Sequence, residues 1–368
     1  MSQLGGFGGF GGFGGFGGFG GFGGFGGFGG FGGLNFSGLG PFLGSGADPI
    51  YDPSLVHGLQ ITEQSVTHVA NRLPSPTARE LTFSAAENMR LWADWVRSSI
   101  YVTDFLRQFD WQINDRSESI VLRYGRRDFV IFNRPSMDTF KQQLDVMRKY
   151  LDQRPDRTPE VMTQLSFPTP YFAMIVGLQT NHRFTSELIA MTQVLASHVT
   201  MVAKHQLACR RPAHIDATVM PMIPIPAHGS FPSAHATEAY AVAEVLCSFV
   251  ELHKRHFADF ERRQALLRKL AERIAVNRTV AGMHFPIDTW AGAILGRAVG
   301  QIILGKCGMN VRVASYAYSA QGERDFSGSQ FARGANKAFG VARRGSFKPN
   351  PSQSFEWLWR QAGTEFVR

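Results

Sequence analysis

The chain has 368 residues and a formal net charge of +9 at pH 7, and 44% of its residues are hydrophobic. This length exceeds one ordinary domain of ~100–200 residues and allows a substantial buried core, which is expected of a soluble globular enzyme. Three cysteines without a CxxC pair argue against a disulfide framework and a structural zinc site. No signal peptide or transmembrane helix is recognised, and a cytoplasmic location is the resulting expectation.

The amino end is a low-complexity segment. Residues 5–31 are nine consecutive Gly-Gly-Phe triplets, and residues 1–46 carry no charged side chain. Because two glycines in three maximise the backbone entropy that folding must remove, residues 1–46 are predicted to be disordered, as a neutral or weakly cohesive extension. Gly, Pro and Ser remain frequent afterwards, so residues 47–79 are interpreted as a linker.

Apolar positions at helical spacing dominate the rest of the chain. Residues 80–109 predict one long amphipathic helix, and residues 118–132 predict a small hairpin around a Tyr-Gly-Arg-Arg turn. Further helices are predicted over 137–153, 159–178 with a break at its prolines, 183–208, 234–256, 259–281 and 286–305. The predicted fold class is all-α: a helical bundle with a small hairpin and disordered ends.

These elements divide the chain into regions. Residues 80–182 are predicted to form an N-terminal helical region that packs on a core formed by residues 183–308. Residues 309–368 form a basic C-terminal extension, with nine Lys/Arg against four Asp/Glu. We expect this extension to be solvated and partly disordered. Such a charge can also contact nucleic acid or an anionic surface, but nucleic acid is not an expected partner.

Three short stretches concentrate the polar residues that can perform chemistry. The first contains Lys204 and Arg211, seven positions apart and followed by Pro212. If the preceding helix extends that far, the two cations lie two turns apart on one face and can address one anion. Either residue alone is ordinarily a solvated or ion-paired charge.

The second stretch runs from His228 to His235, a loop with Gly and Pro that leads directly into a predicted helix. The Ser233 hydroxyl and the backbone N–H groups of a helix N-terminus suit an anion, and the positive end of the helix dipole adds to them. His235 alone could equally be a helix cap.

The third stretch places Arg278, His284 and Asp288 within eleven residues. Four positions separate His284 from Asp288, and this spacing fits a catalytic pair. It also fits a core histidine beside an aspartate that caps the following helix. The spacing alone therefore leaves both interpretations open.

Taken in order, the three stretches resemble the signature of the type 2 phosphatidic acid phosphatase and vanadium haloperoxidase superfamily: Lys-x6-Arg-Pro, Pro-Ser-Gly-His and Ser-Arg-x5-His-x3-Asp. The matching residues are Lys204, Arg211, Pro212, Pro232, Ser233, His235, Arg278, His284 and Asp288. Two positions differ, because Ala234 replaces the family's Gly and Asn277 replaces its Ser. Ala234 keeps its N–H but needs an ordinary backbone conformation. The resemblance covers about residues 183–305.

The resemblance implies an oxyanion pocket. Lys204, Arg211 and Arg278 would neutralise the oxygens of a bound phosphate or vanadate, and the Ser233 O–H and Ala234 N–H would be further donors. Because three cations neutralise the anion, no divalent metal ion is expected.

The resemblance also implies three catalytic roles. His284 would be the axial group, either the nucleophile that forms a phosphohistidine or the ligand of vanadium. Asp288 would hold the other ring nitrogen of His284. His235 would protonate the leaving oxygen and then activate water.

Two chemistries fit these motifs. One is metal-independent hydrolysis of a phosphoric monoester, which needs no cofactor. The other is a vanadium-dependent haloperoxidase that oxidises bromide or chloride with hydrogen peroxide, with vanadate at His284. His228 resembles a second histidine of vanadium bromoperoxidases, whereas the run 229–231 resembles the loop of soluble acid phosphatases. We favour hydrolysis of a small phosphoester. A homodimer is one expected assembly, and an inactive site with a structural role for the repeat is the remaining alternative.

Overall fold

The computed structural model describes residues 53–70 and 80–366. The Gly-Gly-Phe repeat lies outside these residues, as do both ends of the predicted linker, so the predictions made for them are not addressed by the structure. Within the region predicted as linker, a helix α1 spans Pro53–Ala70.

Helices form most of the described chain. They are α2 (Asp94–Leu106), α3 (Met137–Arg148), α4 (Arg154–Thr163), α5 (Thr169–Val176), α6 (Arg183–Leu207), α7 (Ala234–Leu252), α8 (Phe260–Val280), α9 (Pro286–Lys306), α10 (Gly328–Ala332) and α11 (Gln353–Thr364). The four long helices α6 to α9 confirm the helices predicted for that part of the sequence.

The single helix predicted over 80–109 is wrong. A 3-10 helix spans Ala86–Leu91, and α2 begins only at Asp94. Trp92 and Ala93 between them have extended backbone, with ψ of 151° and 153°. The helical spacing of apolar residues therefore continues across this interruption of the helix, so the spacing alone could not indicate it.

The all-α prediction is also wrong, because the described residues form a five-stranded mixed sheet. Its strands are β1 (Phe109–Asn114), β2 (Ser119–Tyr124), β3 (Arg127–Asn133), β4 (Val313–Tyr318) and β5 (Val341–Phe347), in that spatial order. The predicted hairpin is present as β2 and β3. β4 pairs with β3 in parallel, and β5 pairs with β4 antiparallel. The pairing of β3 with β4 joins segments about 180 residues apart, which no local pattern can reveal.

The C-terminal end is folded, in contrast to the disordered end that was predicted. Phe355, Trp357 and Leu358 of α11 are at most 1% exposed. Asp104 of α2 accepts hydrogen bonds from Ser354 Oγ at 2.8 Å and Lys306 Nζ at 3.2 Å, which fastens the start of α11 to α2. The net charge of this segment was a poor guide, because its charges lie outside while its aromatic residues fill the core.

The helices α7 and α9 approach each other through small residues. Gly292, Gly296 and Gly300 follow one face of α9 at intervals of four. A Cβ atom at Gly296 would lie 2.3 Å from the Thr237 carbonyl oxygen, and one at Gly292 would lie 2.5 Å from the Ser233 carbonyl oxygen. The two helices run in the same direction, so their N-terminal ends lie side by side. The site is built at these two ends.

Candidate active site

The first motif does not continue along one helix face. Helix α6 ends at Leu207, and Ala208 takes a left-handed conformation with φ of 48°, so the chain turns before Arg211. The expected two-turn alignment of Lys204 and Arg211 is therefore wrong, and the two side chains meet by another route.

Lys204 and Arg211 meet at the loop of the second motif. Lys204 Nζ donates to the carbonyl oxygens of Gly229 and Ser230, both at 2.8 Å. Arg211 Nε donates to the carbonyl oxygen of His228 at 3.2 Å. Both side chains are buried, and burial lowers the pKa of Lys204 well below its usual value and that of Arg211 to about 10. Two buried cations thus converge on one loop.

His284 lies between a cation and a carboxylate. Arg211 Nη1 is 3.1 Å from His284 Nε2, and Asp288 Oδ2 is 3.0 Å from His284 Nδ1. Because an arginine nitrogen only donates, Nε2 accepts, and the ring proton is assigned to Nδ1. Burial lowers the pKa of His284 well below its usual value, with Arg211 and Lys204 adding to the effect. The ring is therefore neutral, with a lone pair on Nε2.

Asp288 joins the second and third motifs. Its Oδ2 accepts from the Phe285 N–H at 3.0 Å and from Ser230 Oγ at 2.5 Å, in addition to its contact with His284. Burial raises the pKa of Asp288 to about 6, against the lowering effect of Ser230 and of Lys204. The side chain therefore makes both contacts considered from the sequence, one with the N-terminus of α9 and one with His284.

The second motif begins helix α7. Ser233 is the N-cap residue, and its Oγ accepts from the Ala236 N–H at 3.4 Å. The Ser233 N–H donates to the Asp288 carbonyl oxygen at 3.0 Å, which ties α7 to α9. Ala234 is the first helical residue, where backbone donors lack an intrahelical partner. A helical backbone suits alanine, so the family's glycine is not needed there.

Arg278 comes from the end of α8 and faces the end of α4. Its Nη1 donates to the Gln164 carbonyl oxygen and its Nη2 to the Val161 carbonyl oxygen, both at 3.3 Å. These carbonyls belong to the last turn of α4, where backbone acceptors lack helical partners and the helix dipole is negative. Burial lowers the pKa of Arg278 to about 10.

His235 shares this neighbour. Its Nε2 lies 3.0 Å from the Gln164 carbonyl oxygen, which only accepts, so Nε2 is assigned the proton. Burial lowers the pKa of His235 well below its usual value, followed in effect by the charge of Arg278 and then by Arg211 and Lys204. His235 therefore lies in the field of all three predicted cations.

His228 lies against Arg211. Its Nδ1 is 3.2 Å from Arg211 Nη2 and 3.1 Å from the Gly229 carbonyl oxygen, and within the described ranges its buried Nε2 has no hydrogen-bond partner. Burial, with Lys204 and Arg211, lowers the pKa of His228 to about 3. This position is compatible with the second histidine that the sequence indicates, and the ring also contacts the backbone of its own loop.

The structure thus brings the predicted site residues to one place. They are Lys204, Arg211, His228, Ser233, Ala234, His235, Arg278, His284 and Asp288. Three further polar residues in the site were not predicted: Gln164, Ser230 and Glu238. Ser230 lies inside the quoted loop, and its hydroxyl was the signal that could have identified it. Gln164 offers no such signal, because it lies outside the three motifs.

Glu238 is buried one turn after His235 on the same helix. It is 2% exposed, and burial raises its pKa to about 8, whereas the Ser197 hydroxyl, Lys204 and Arg278 lower it. At neutral pH this side chain is therefore mainly an uncharged acid beside two of the cations. Glu238 lies three positions after His235 on a predicted helix, and residues at this spacing are neighbours, so the sequence could have indicated it.

These residues form a cluster of buried cations around a histidine that is paired with a carboxylate. A family model of the PAP2 superfamily matches residues 187–311. The resemblance predicted from the three motifs is therefore confirmed for this segment, which is about a third of the chain. The protein is accordingly an enzyme of the phosphatase type found in this superfamily.

One solved structure with a match is titled as the first transmembrane PAP2-type phosphatidylglycerolphosphate phosphatase from Bacillus subtilis. Its sequence is 20% identical, the match covers 45% of this chain and 84% of that chain, and the TM-score is 0.36. No curated protein matches the chain.

The prediction of a cytoplasmic location does not stand. The prediction rested on the lack of a recognised signal or membrane helix, which is a weak basis for a location. Among residues 53–70 and 80–366, no helix combines the length and apolar character needed to cross a bilayer.

Proposed function

We propose that the protein is a metal-independent phosphoric monoester hydrolase that acts through a phosphohistidine on His284. The observation that carries this proposal is the placement of the His284 ring, with Nε2 3.1 Å from Arg211 Nη1 and Nδ1 3.0 Å from Asp288 Oδ2. An unprotonated Nε2 beside a guanidinium group is a nucleophile held where a phosphoryl group would be neutralised. The reaction needs no cofactor.

In the first step, the Nε2 lone pair of His284 attacks phosphorus. A P–N bond forms and the P–O bond to the leaving group breaks. The ring proton stays on Nδ1 and remains hydrogen-bonded to the Asp288 carboxylate, which stabilises the positive charge that develops on the ring. Lys204, Arg211 and Arg278 neutralise the phosphoryl oxygens.

The leaving oxygen takes its proton from His235, and His235 then removes a proton from the water that cleaves the P–N bond. In the protein alone, His235 has a strongly lowered pKa and is neutral. A bound phosphate dianion offsets the cationic charge that contributes to this lowering. We therefore expect substrate binding to protonate His235, so that the acid is formed only when it is needed.

A vanadium-dependent haloperoxidase is the second candidate, and the position of His228 favours it. His228 Nδ1 lies 3.2 Å from Arg211 Nη2, so a second histidine borders the pocket. The cations and His284 fit vanadate as well as phosphate, because both are oxyanions of the same charge class. Vanadate, when bound, would supply the activation of peroxide for halide oxidation.

The expected substrate is a small phosphoester, because the buried pocket contains donors for one oxyanion. Homodimer formation remains a prediction from the sequence.

The direct test combines two assays on the purified full chain. We expect hydrolysis of p-nitrophenyl phosphate that orthovanadate inhibits, and no peroxide-dependent bromination. His284→Ala should lower hydrolysis on the order of 10³-fold or more, because the nucleophile is lost. His182→Ala is the matched control, since His182 is another buried histidine but stacks on Phe366 outside the site. Bromination that requires vanadate would establish the second candidate, and full activity in His284→Ala would exclude both.

A further inference from the structure

Gln164 connects two of the proposed site residues, although it lies outside the segment matched by the family. It caps the C-terminus of α4 and is completely buried. Its carbonyl oxygen is 3.0 Å from His235 Nε2 and 3.3 Å from Arg278 Nη1. Its side-chain Oε1 accepts from Arg278 Nη2 at 3.3 Å. One residue therefore contacts both the third cation and the second histidine.

The side chain of Gln164 is itself held by Asn277. Asn277 Nδ2 donates to Gln164 Oε1 and to Glu160 Oε2, both at 3.0 Å, and Asn277 Oδ1 accepts from Arg157 Nη1 at 2.8 Å. Glu160 also forms an ion pair with Arg273 of α8. These contacts fix α4 against α8 just before Arg278.

This arrangement explains the departure of Asn277 from the family's serine. A serine hydroxyl has one proton to donate, whereas the asparagine amide donates two and accepts through its oxygen. All three of these contacts go to α4 or to its C-cap residue Gln164. The substitution and Gln164 therefore belong to one hydrogen-bonded unit.

The amide orientation of Gln164 follows from its partners. Asn277 Nδ2 and Arg278 Nη2 are both donors, so the atom that they share must be the oxygen. Gln164 Nε2 is then a buried donor, and the part of the chain that the structure describes offers it no partner. Burying an unpaired donor is unfavourable, and an oxyanion oxygen in the pocket would supply the missing acceptor.

We infer that Gln164, anchored by Asn277, is a positioning residue that sets the Arg278 guanidinium and the ring of His235 for an oxyanion. The inference rests on the proposed function. It adds a second wall to the pocket, contributed by α4 and independent of the three motifs. A phosphate bound there contacts an arginine whose geometry is set from outside the family segment.

Gln164→Glu tests the placement in the protein without any ligand. A carboxylate at this position offsets the charge of Arg278, which together with burial, Arg211 and Lys204 holds the pKa of His235 down. We expect NMR titration of the full chain to move the His235 midpoint upward by about one pH unit or more. Gln301→Glu is the matched control, because Gln301 lies near the C-terminal end of α9, where it donates to Glu244, whereas the site lies at the N-terminal end of this helix. An unchanged His235 midpoint in Gln164→Glu would overturn the inference.

Phosphate binding tests the coupling to Asn277. We expect Gln164→Ala and Asn277→Ser each to raise the Kd for inorganic phosphate about tenfold, measured by calorimetry. The double variant should bind about as weakly as Gln164→Ala alone, because the two residues act as one unit. Multiplied effects would overturn the shared unit, and so would a Kd within twofold of the wild type. A shifted His235 midpoint without any phosphate binding by the wild type would leave the placement intact and refute the proposed function instead.

Discussion

The segment matched by the family and the segments around it contribute to the site in different ways. Within residues 187–311, reactive side chains lie at fixed spacings on α6, the 228–233 loop, α7, α8 and α9. Outside it, α4 contributes backbone carbonyls and one amide, and the sheet and α11 complete the core. The contribution of the matched segment can be recognised from the residue types alone. The contribution of the outer segments depends on where a helix ends, because the free carbonyl groups lie there, and these groups hold the reactive side chains in position.

The largest expected effect concerns the outer segments. Trp357 of α11 is 1% exposed, so Trp357→Ala removes a large side chain from the core. We expect the free energy of unfolding to fall by about 3–5 kcal/mol in urea titrations. Trp111→Ala is the control, because Trp111 on β1 is 40% exposed and its loss should cost under about 1 kcal/mol. Equal stabilities for the two variants would mean that the C-terminal segment is a dispensable extension after all.

A smaller effect is expected inside the matched segment. Gly296→Ala places a Cβ atom 2.3 Å from the Thr237 carbonyl oxygen, so α7 and α9 must separate. We expect a loss of about 1–3 kcal/mol in stability, together with a lower kcat, because Ser233 and Asp288 are tied across these helices.

Gly345→Ala on β5 is the control for this variant, since nothing lies within 4 Å of a Cβ atom there. A stable and fully active Gly296→Ala protein would show that the close helix contact does not position the site.

Glu238 is expected to make phosphate binding depend on pH. Its pKa is raised to about 8, so the side chain is neutral below this pH and negative above it. A negative charge beside Lys204 and Arg278 opposes an anion, and phosphate binding should weaken as pH rises from 7 to 9. Glu238→Gln should make this loss several-fold smaller while leaving binding at pH 6.5 unchanged, because a neutral acid and an amide are alike in charge.

Calorimetric Kd values for phosphate across that pH range provide the measurement. Lys204 also loses charge as pH rises, so some pH dependence remains in the variant. Identical pH profiles for the wild type and Glu238→Gln would contradict the assignment of Glu238 to the pocket.

Much of the site could be predicted from the sequence, because residue type and spacing carry the information. The pairing of His284 with Asp288 needs only a helix that begins between them and a four-residue interval. The convergence of Lys204 and Arg211 was predicted for the wrong reason. A helix face was expected, whereas a left-handed residue at Ala208 turns the chain and the cations meet at a loop.

The rest could not be predicted, since it depends on pairing between distant segments. The strands β3 and β4 are separated by about 180 residues, so their pairing leaves no local signal in the sequence. The contact of Gln164 with His235 uses a backbone carbonyl, a group that every residue has. Net charge misled the prediction for residues 309–368, because it reports the surface and says nothing of the buried aromatic residues beneath it.

We propose that four residues bind the same oxyanion: Lys204, Arg211, Arg278 and His284. A crystal structure of the protein grown with orthovanadate tests it most directly. We expect a single vanadate bound at Nε2 of His284, with the lysine and both arginines donating to its oxygens. Vanadate bound elsewhere, or a pocket in which His284 keeps its contact with Arg211 at saturating vanadate, would show that these residues do not bind one oxyanion together.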